Sequence, residues 1–278
     1  MQSVHTPNGP IEYRIEGVGP VVMVLNGGHC SRDTRLSHER LAAHGFTVLT
    51  PSRPGYDDTP SSVGPSAQAA ADALVILLDS LGITQVSAIG ISAAGPTALA
   101  FAQRHPDRIK SLILESAVTT AWDEALKRGA RYLFGRTERL TWAMVRLGLR
   151  VSPRIMLQTM LRALTVLDPG DVLRRMSFED IVFFTRLLNT MRSGEGFLND
   201  LEHRVDELHR VRAPVLAIYS PYDKSVPPSN AQRIAREVAG SELYETPSDT
   251  HLIWIGPHAE RVWHRRRAFL QAYLAGTL

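Results

Sequence analysis

A single cysteine, Cys30, occurs in 278 residues. That excludes an intramolecular disulfide framework and any metal site built on a cysteine pair. No apolar run approaches the roughly 18 residues a membrane-spanning helix needs. An excess of one charge is also missing: the formal net charge is only +3, which gives the whole chain no nucleic-acid signature. No two histidines have metal-ligand spacing and no glycine-rich phosphate loop occurs, so neither metal nor cofactor is expected. The first stretch, "MQSVHTPNGPIEYRIEG", has no basic region followed by an apolar one. It is therefore no secretory signal, and a cytoplasmic location is the default expectation.

What is present is ordinary for a globular protein, with 44% hydrophobic and 21% charged residues. Short apolar runs rich in branched residues ("VVMVL" from Val21, "FTVLT" from Phe46, "QVSAIG" from Gln85, "SLILES" from Ser111) predict strands. Longer amphipathic stretches between them, "SAQAAADALVILLDSLGI" and "PTALAFAQRHP", predict helices. That alternation implies a mostly parallel, twisted α/β sheet with helices on both faces. The pattern returns in "APVLAIYS", "PSNAQRIAREVAG", "SELYETP" and "HAERVWHRRRAFLQAYLAG", whose last residue is Gly276. Residues 119–205 offer no buried-strand run, only helical segments rich in leucine, methionine and arginine. The expected organisation is an α/β core of residues 1–118 and 206–278, with 119–205 inserted as a helical cap.

In "VSAIGISAAGPTALAFA" an apolar strand runs through Gly90-Ile91-Ser92-Ala93-Ala94 straight into a helix. Gly-x-Ser-x-small at a strand-to-helix junction is the pattern of a nucleophile elbow, where a sharp turn lifts a serine hydroxyl above the sheet edge. Alanine stands where the strict motif has a second glycine, and still meets the demand for a small residue. A serine needs a base to take its proton, and the base needs an acid to orient it. Asp223, in "YDKSVP", and His251, in "THLIW", both follow predicted strands, where ligand sites of parallel sheets gather. Glu115, ending "SLILE", is the rival for the acid. Asp249, two residues before His251, is expected to rigidify that loop.

Together these segments resemble the α/β-hydrolase superfamily, in its cap-bearing, serine-esterase-like branch, over nearly the whole chain. "LNGGHCS" is similar to the family's oxyanion loop, with Asn26 in place of a histidine. "PSRPGYDDTPSS" is similar to its next conserved loop, with Ser52 for an acid and Asp57 for a glycine. The resemblance implies Ser92 as nucleophile, His251 as base, Asp223 as acid, and the backbone N–H groups of Gly28 and Ala93 as oxyanion hole. It implies hydrolysis of a small-molecule carboxylic ester through an acyl-enzyme. A C–C bond hydrolase, a lactonase, a peptidase or a receptor-like binding protein are its alternatives. The serine argues against the related dehalogenases and epoxide hydrolases, which use aspartate. His29 is expected near the pocket and Cys30 as a small wall residue. His38, His44, His105, His203, His209, His258 and His264 are expected in solvent.

Between Lys127 and Arg162 stand nine basic residues and one acid, Glu138. The ordinary reading is a lid whose arginines are solvated. The alternative is a basic amphipathic cover that meets an anionic substrate or a membrane surface.

Overall fold

The computed structural model describes residues 2–274. Its strands are β1 (Gln2–Thr6), β2 (Gly9–Glu16), β3 (Val21–Leu25), β4 (Thr47–Pro51), β5 (Val86–Ile91), β6 (Ile109–Glu115), β7 (Val215–Tyr219) and β8 (Glu242–Glu245). They form one sheet in the order β1-β2-β4-β3-β5-β6-β7-β8. From β4 to β8 every neighbouring pair is parallel, and β1 and β2 add an antiparallel edge. The helices are α1 (Ala67–Ser80), α2 (Gly95–Arg104), α3 (Glu124–Phe134), α4 (Glu138–Val151), α5 (Pro153–Leu164), α6 (Pro169–Arg175), α7 (Phe178–Thr190), α8 (Gly196–Asp200), α9 (Ser229–Glu237) and α10 (Ala259–Leu274). The helix predicted to run to Gly276 is therefore seen to Leu274, and residues 275–276 of that prediction lie outside the described residues.

Side chains alternate between the two faces of each strand, and both faces are covered. Met23, Leu25, Ala88 and Leu112 pack with Leu77 of α1, Phe101 of α2 and Ile234 of α9. Val22, Val24, Ile89 and Ile113 pack on the other face with Trp263 and Phe269 of α10. The hairpin β1–β2 is absent from the strands predicted by sequence. Four of the five residues of β1 are polar and the strand is largely exposed, so it carries no apolar signal. Its turn at Pro7 and Asn8 is held by Thr6 Oγ1, which donates to Gly9 O at 2.8 Å. Gly9 supplies the φ of +131° that the turn requires.

Between β6 and β7 the chain forms α3 to α8 and contributes no strand to the sheet. Asp123 caps α3 through the N–H groups of Ala125 and Leu126, and Ser177 with Asp180 forms a capping box on α7. This segment is tied to the core at α8. Asp200 accepts from the Arg53 guanidinium and, at 2.6 Å, from the Tyr56 hydroxyl.

A buried ionic cluster sits where β6 ends. Glu115 is fully enclosed and receives Arg266 Nε at 2.6 Å, His38 Nε2 at 2.9 Å and Trp254 Nε1 at 2.5 Å. Burial opposes ionisation of this carboxyl, but the Arg266 charge and the His38 contact hold it far below the usual carboxylate range. Burial, together with Arg266, lowers the His38 ring, so the neutral ring donates. His38 and His203 thus correct the expectation of solvated histidines. His203 is also buried, with Nε2 3.1 Å from Gly64 O and Nδ1 3.3 Å from Thr97 Oγ1. Polar neighbours in sequence do not reveal such partners, which come from distant elements. Removing one member of a buried ion pair leaves the other charge uncompensated. Glu115→Gln is expected to cost about 3–5 kcal/mol, read as a fall of about 10 °C in Tm by calorimetry.

Candidate active site

The site begins with the turn after β5. Ser92 has φ +49°, the left-handed region that L-residues seldom occupy. Its carbonyl accepts from Val118 N at 2.9 Å and from Gly95 N, which fixes the strained turn from both sides. Space around it is minimal. A Cβ on Gly90 would lie 2.6 Å from Ala98 Cβ, and one on Gly95 would lie 2.0 Å from Val118 O. Neither position admits a larger residue without moving backbone.

His251 reaches the serine from the loop after β8. Its Nε2 is 3.0 Å from Ser92 Oγ and its Nδ1 is 2.7 Å from Asp223 Oδ2. Asp223 is buried and accepts a second bond from Val226 N at 2.8 Å. A carboxylate held this way keeps the imidazole proton on Nδ1, which leaves the Nε2 lone pair facing the serine O–H. Glu115, the rival, instead lies in the ionic cluster, where its oxygens are engaged by Arg266, His38 and Trp254. Asp249 fits its expected role: its Oδ2 is 3.0 Å from Arg175 Nε, and its carbonyl accepts from Thr165 Oγ1 at 2.6 Å.

The loop after β3 lies against the serine turn. A Cβ on Gly27 would be 3.1 Å from Ser92 Cβ, and one on Gly28 would be 3.5 Å from Ala93 Cβ and 2.9 Å from the Phe197 ring. Gly28 and Ala93 therefore meet beside Ser92, with the Phe197 ring packed against Gly28. Ala93 lies in the first turn leading into α2, where backbone N–H groups lack intrahelical partners. The loop departures from the family pattern are structural. Asn26 Nδ2 donates to Ser31 O at 2.8 Å and Thr34 O at 3.2 Å. Asp57 Oδ2 accepts from Ser52 Oγ at 2.6 Å and Arg32 N at 3.1 Å.

Ser92 and His251 open on a cavity of about 560 Å³. The strand-end loops supply Gly28, His29, Cys30 and Leu252, while α3 to α8 supply Leu133, Phe134, Trp142, Phe184, Leu187 and Phe197. The lining is overwhelmingly hydrocarbon. Burial pushes the Cys30 thiol up to about 11, so it stays protonated, as a wall residue should. His29 clusters with Phe134 and Phe197, its ring tilted against both with centroids at 4.5 and 4.0 Å. Trp142 Nε1 donates to Ser193 Oγ at 2.9 Å, which lies 2.7 Å from His29 Nδ1. Sequence reasoning missed Ser193, because nothing local marks a serine whose partners stand 51 and 164 residues away. Among the described residues no group of three His, Cys, Asp or Glu side chains could hold a metal ion.

Burial, reinforced by the Arg53 charge, lowers the His29 pKa to about 3. The unfolded chain binds this proton near the ordinary value of about 6.5, and the folded chain does not. The stability it contributes is complete above about pH 6.5 and is lost as the pH falls toward 3. His29→Asn keeps an amide near the Nδ1 position and tolerates the φ of +63°. This variant is expected to flatten the loss of unfolding free energy between about pH 6 and 4 by up to about 1 kcal/mol per pH unit. Urea titrations across that range check it.

A family model described as alpha/beta hydrolase fold matches residues 20–255. The uncharacterised hydrolase YcgS of Bacillus subtilis (strain 168) is 32% identical over 280 residues, spanning 98% of this chain and 99% of that one. An alpha/beta hydrolase fold protein from Nakamurella multipartita superposes with a TM-score of 0.81 at 28% identity, over 98% of this chain and 99% of that one. A thermophilic esterase from Thermogutta terrifontis, solved with malate bound, gives 0.73 at 22% identity over 98% and 99%; at that identity the likeness is one of fold. With the family model spanning most of its length and a relative matched nearly end to end, this chain belongs to the alpha/beta hydrolases and is a hydrolytic enzyme.

Proposed function

We propose that the chain hydrolyses carboxylic esters of apolar, small-molecule acids through an acyl-enzyme formed on Ser92. The observation that carries this reading is the hydrogen-bonded line Ser92–His251–Asp223 at the floor of a hydrocarbon-lined cavity. His251 Nε2 takes the serine proton as Oγ attacks the ester carbonyl, and then gives it to the departing alkoxide. Water, deprotonated by the same nitrogen, attacks the acyl-enzyme and releases the acid. Gly28 and Ala93 N–H groups hold the oxygen that becomes negative in each tetrahedral intermediate, where a donor is worth about 3–4 kcal/mol. Residues 119–205 serve as the cap, since α3 to α8 supply much of the cavity wall.

The apolar lining sets the substrate preference. Each buried methylene adds about 0.8 kcal/mol of transfer free energy, so kcat/KM rises with acyl length until the cavity is filled. A series of p-nitrophenyl esters from acetate upward is expected to show that rise. A folded protein that turns over no member of the series overturns the proposal.

Two substitutions locate the chemistry. Ser92→Ala is expected to lower turnover at least a thousandfold with an unchanged melt. Asp223→Asn is expected to lower kcat by about 10⁴-fold, because the amide stabilises the wrong imidazole tautomer. Glu115→Gln harms Tm far more than kcat. The reverse ranking of Asp223 and Glu115 transfers the acid's role.

A further inference from the structure

Helix α4 is apolar on two opposite faces. Trp142, Val145 and Leu149 are buried. Leu140, Met144, Leu147 and Val151 are 63%, 56%, 51% and 73% exposed. At about 100° per residue these four fall within an arc of about 60°, directly opposite the buried three. A helix on the surface of a globular protein normally turns charged and polar residues outward. Here a continuous apolar stripe faces out, and Ile155 of α5 is exposed beyond its end. A stripe of this kind marks a surface that meets something else.

The flanks of α4 show what that is. One flank is covered by neighbouring helices. Thr141 Oγ1 donates to Leu133 O of α3 at 2.6 Å, and a Cβ on Gly148 would strike Met156 of α5. The other flank carries Arg139, Arg146 and Arg150 at spacings of seven and four, with Arg154 following on α5. Among the described residues, none of these four has a carboxylate partner, in contrast to Lys127 and Arg131, which pair with Glu202. A row of free guanidinium groups beside an exposed apolar stripe is complementary to a layer with anionic heads above a hydrocarbon interior.

We infer that the outer face of α4, with the start of α5, is a docking surface for an anionic lipid layer. The stripe enters the boundary between headgroups and chains, and the arginines engage the phosphates. Among the described residues no helix is long and apolar enough to cross a membrane, so the contact is peripheral. A second copy of the chain is the poorer occupant. Seated patch on patch by a twofold axis, it would bring a second set of unpaired arginines against the first. Leu126 and Leu133 of α3 are exposed and also line the cavity, so an apolar substrate held in such a layer has a short route in.

Docking needs no catalysis, so the Ser92→Ala protein serves as well as wild type, and the test is independent of the ester proposal. Vesicles of phosphatidylcholine and phosphatidylserine at roughly 3:1 are expected to co-sediment the protein at about 0.05 M salt. Vesicles of phosphatidylcholine alone leave it in the supernatant. Arg139→Gln, Arg150→Gln and Arg154→Gln together are expected to lower the partition coefficient about a hundredfold. Leu140→Gln, Met144→Gln and Leu147→Gln together abolish binding while the thermal melt stays that of the parent. Absence of binding to the mixed vesicles overturns the proposal, as does equal binding to both compositions. Concentration-dependent dimerisation in sedimentation velocity, lost in the leucine-to-glutamine variant, also overturns it and assigns the stripe to a second copy.

Discussion

How closely β5 and α2 approach at Ser92 decides almost everything else about the site. A left-handed φ on a non-glycine residue costs about 1–3 kcal/mol and persists only where its surroundings over-determine it. Here they do. The Ser92 carbonyl is gripped by Val118 N from the segment after β6, and Gly90 and Gly95 allow contacts with Ala98 and Val118 that any Cβ would block. Because the turn is held by these contacts, His251 can be set 3.0 Å from Oγ by a loop of quite different origin. The Gly27–Gly28 loop can likewise close on the turn without collision.

The helices between β6 and β7 are stitched to the loops that carry His251 and Asp223. Leu164 O, at the end of α5, accepts from His251 N at 2.9 Å. Thr165 bridges to Asp223, and Val166 N donates to Tyr222 O at 3.0 Å. Three consecutive residues therefore hold both loops at once. The position of the proposed base relative to its acid is shared between the sheet and this segment, and Trp254 adds a second anchor through its bond to Glu115.

Legibility in the sequence followed the reach of each signal. The parallel strands β3 to β7 were readable within a residue or two because each is a short apolar run; Val21–Leu25 matches its prediction residue for residue. Ser92 was readable because steric demand confines its neighbours to small residues, and His251 and Asp223 because they sit at strand ends. The hairpin β1–β2 escaped because its outer strand buries little. The buried clusters Glu115–Arg266–His38 and Arg53–Asp200–Tyr56 escaped for another reason. Their hydrogen-bonded partners are 77 to 151 residues apart in the chain, and a charged residue that will be buried looks locally like one that will be solvated. Ser193 falls in the same class, whereas His29 lines the cavity as its place in the oxyanion loop predicts.

The hydrocarbon lining also governs how a catalytic cycle ends. On the proposed reading, a neutral ester enters and one of its products is a carboxylate, formed beside the Gly28 and Ala93 N–H groups and released past Phe and Leu side chains that offer an anion no hydrogen bonds. Leaving a charge in such surroundings is costly by several kcal/mol, while the uncharged reactant gains from the same contacts. Lys224, exposed at the cavity wall, with its ammonium donating to Arg162 O at 3.1 Å, is on that reading a cation for the departing acid to pass. On that reading the pocket acts as a one-way valve, in which the change of ionic state made by ester hydrolysis turns an attractive wall into a repulsive one.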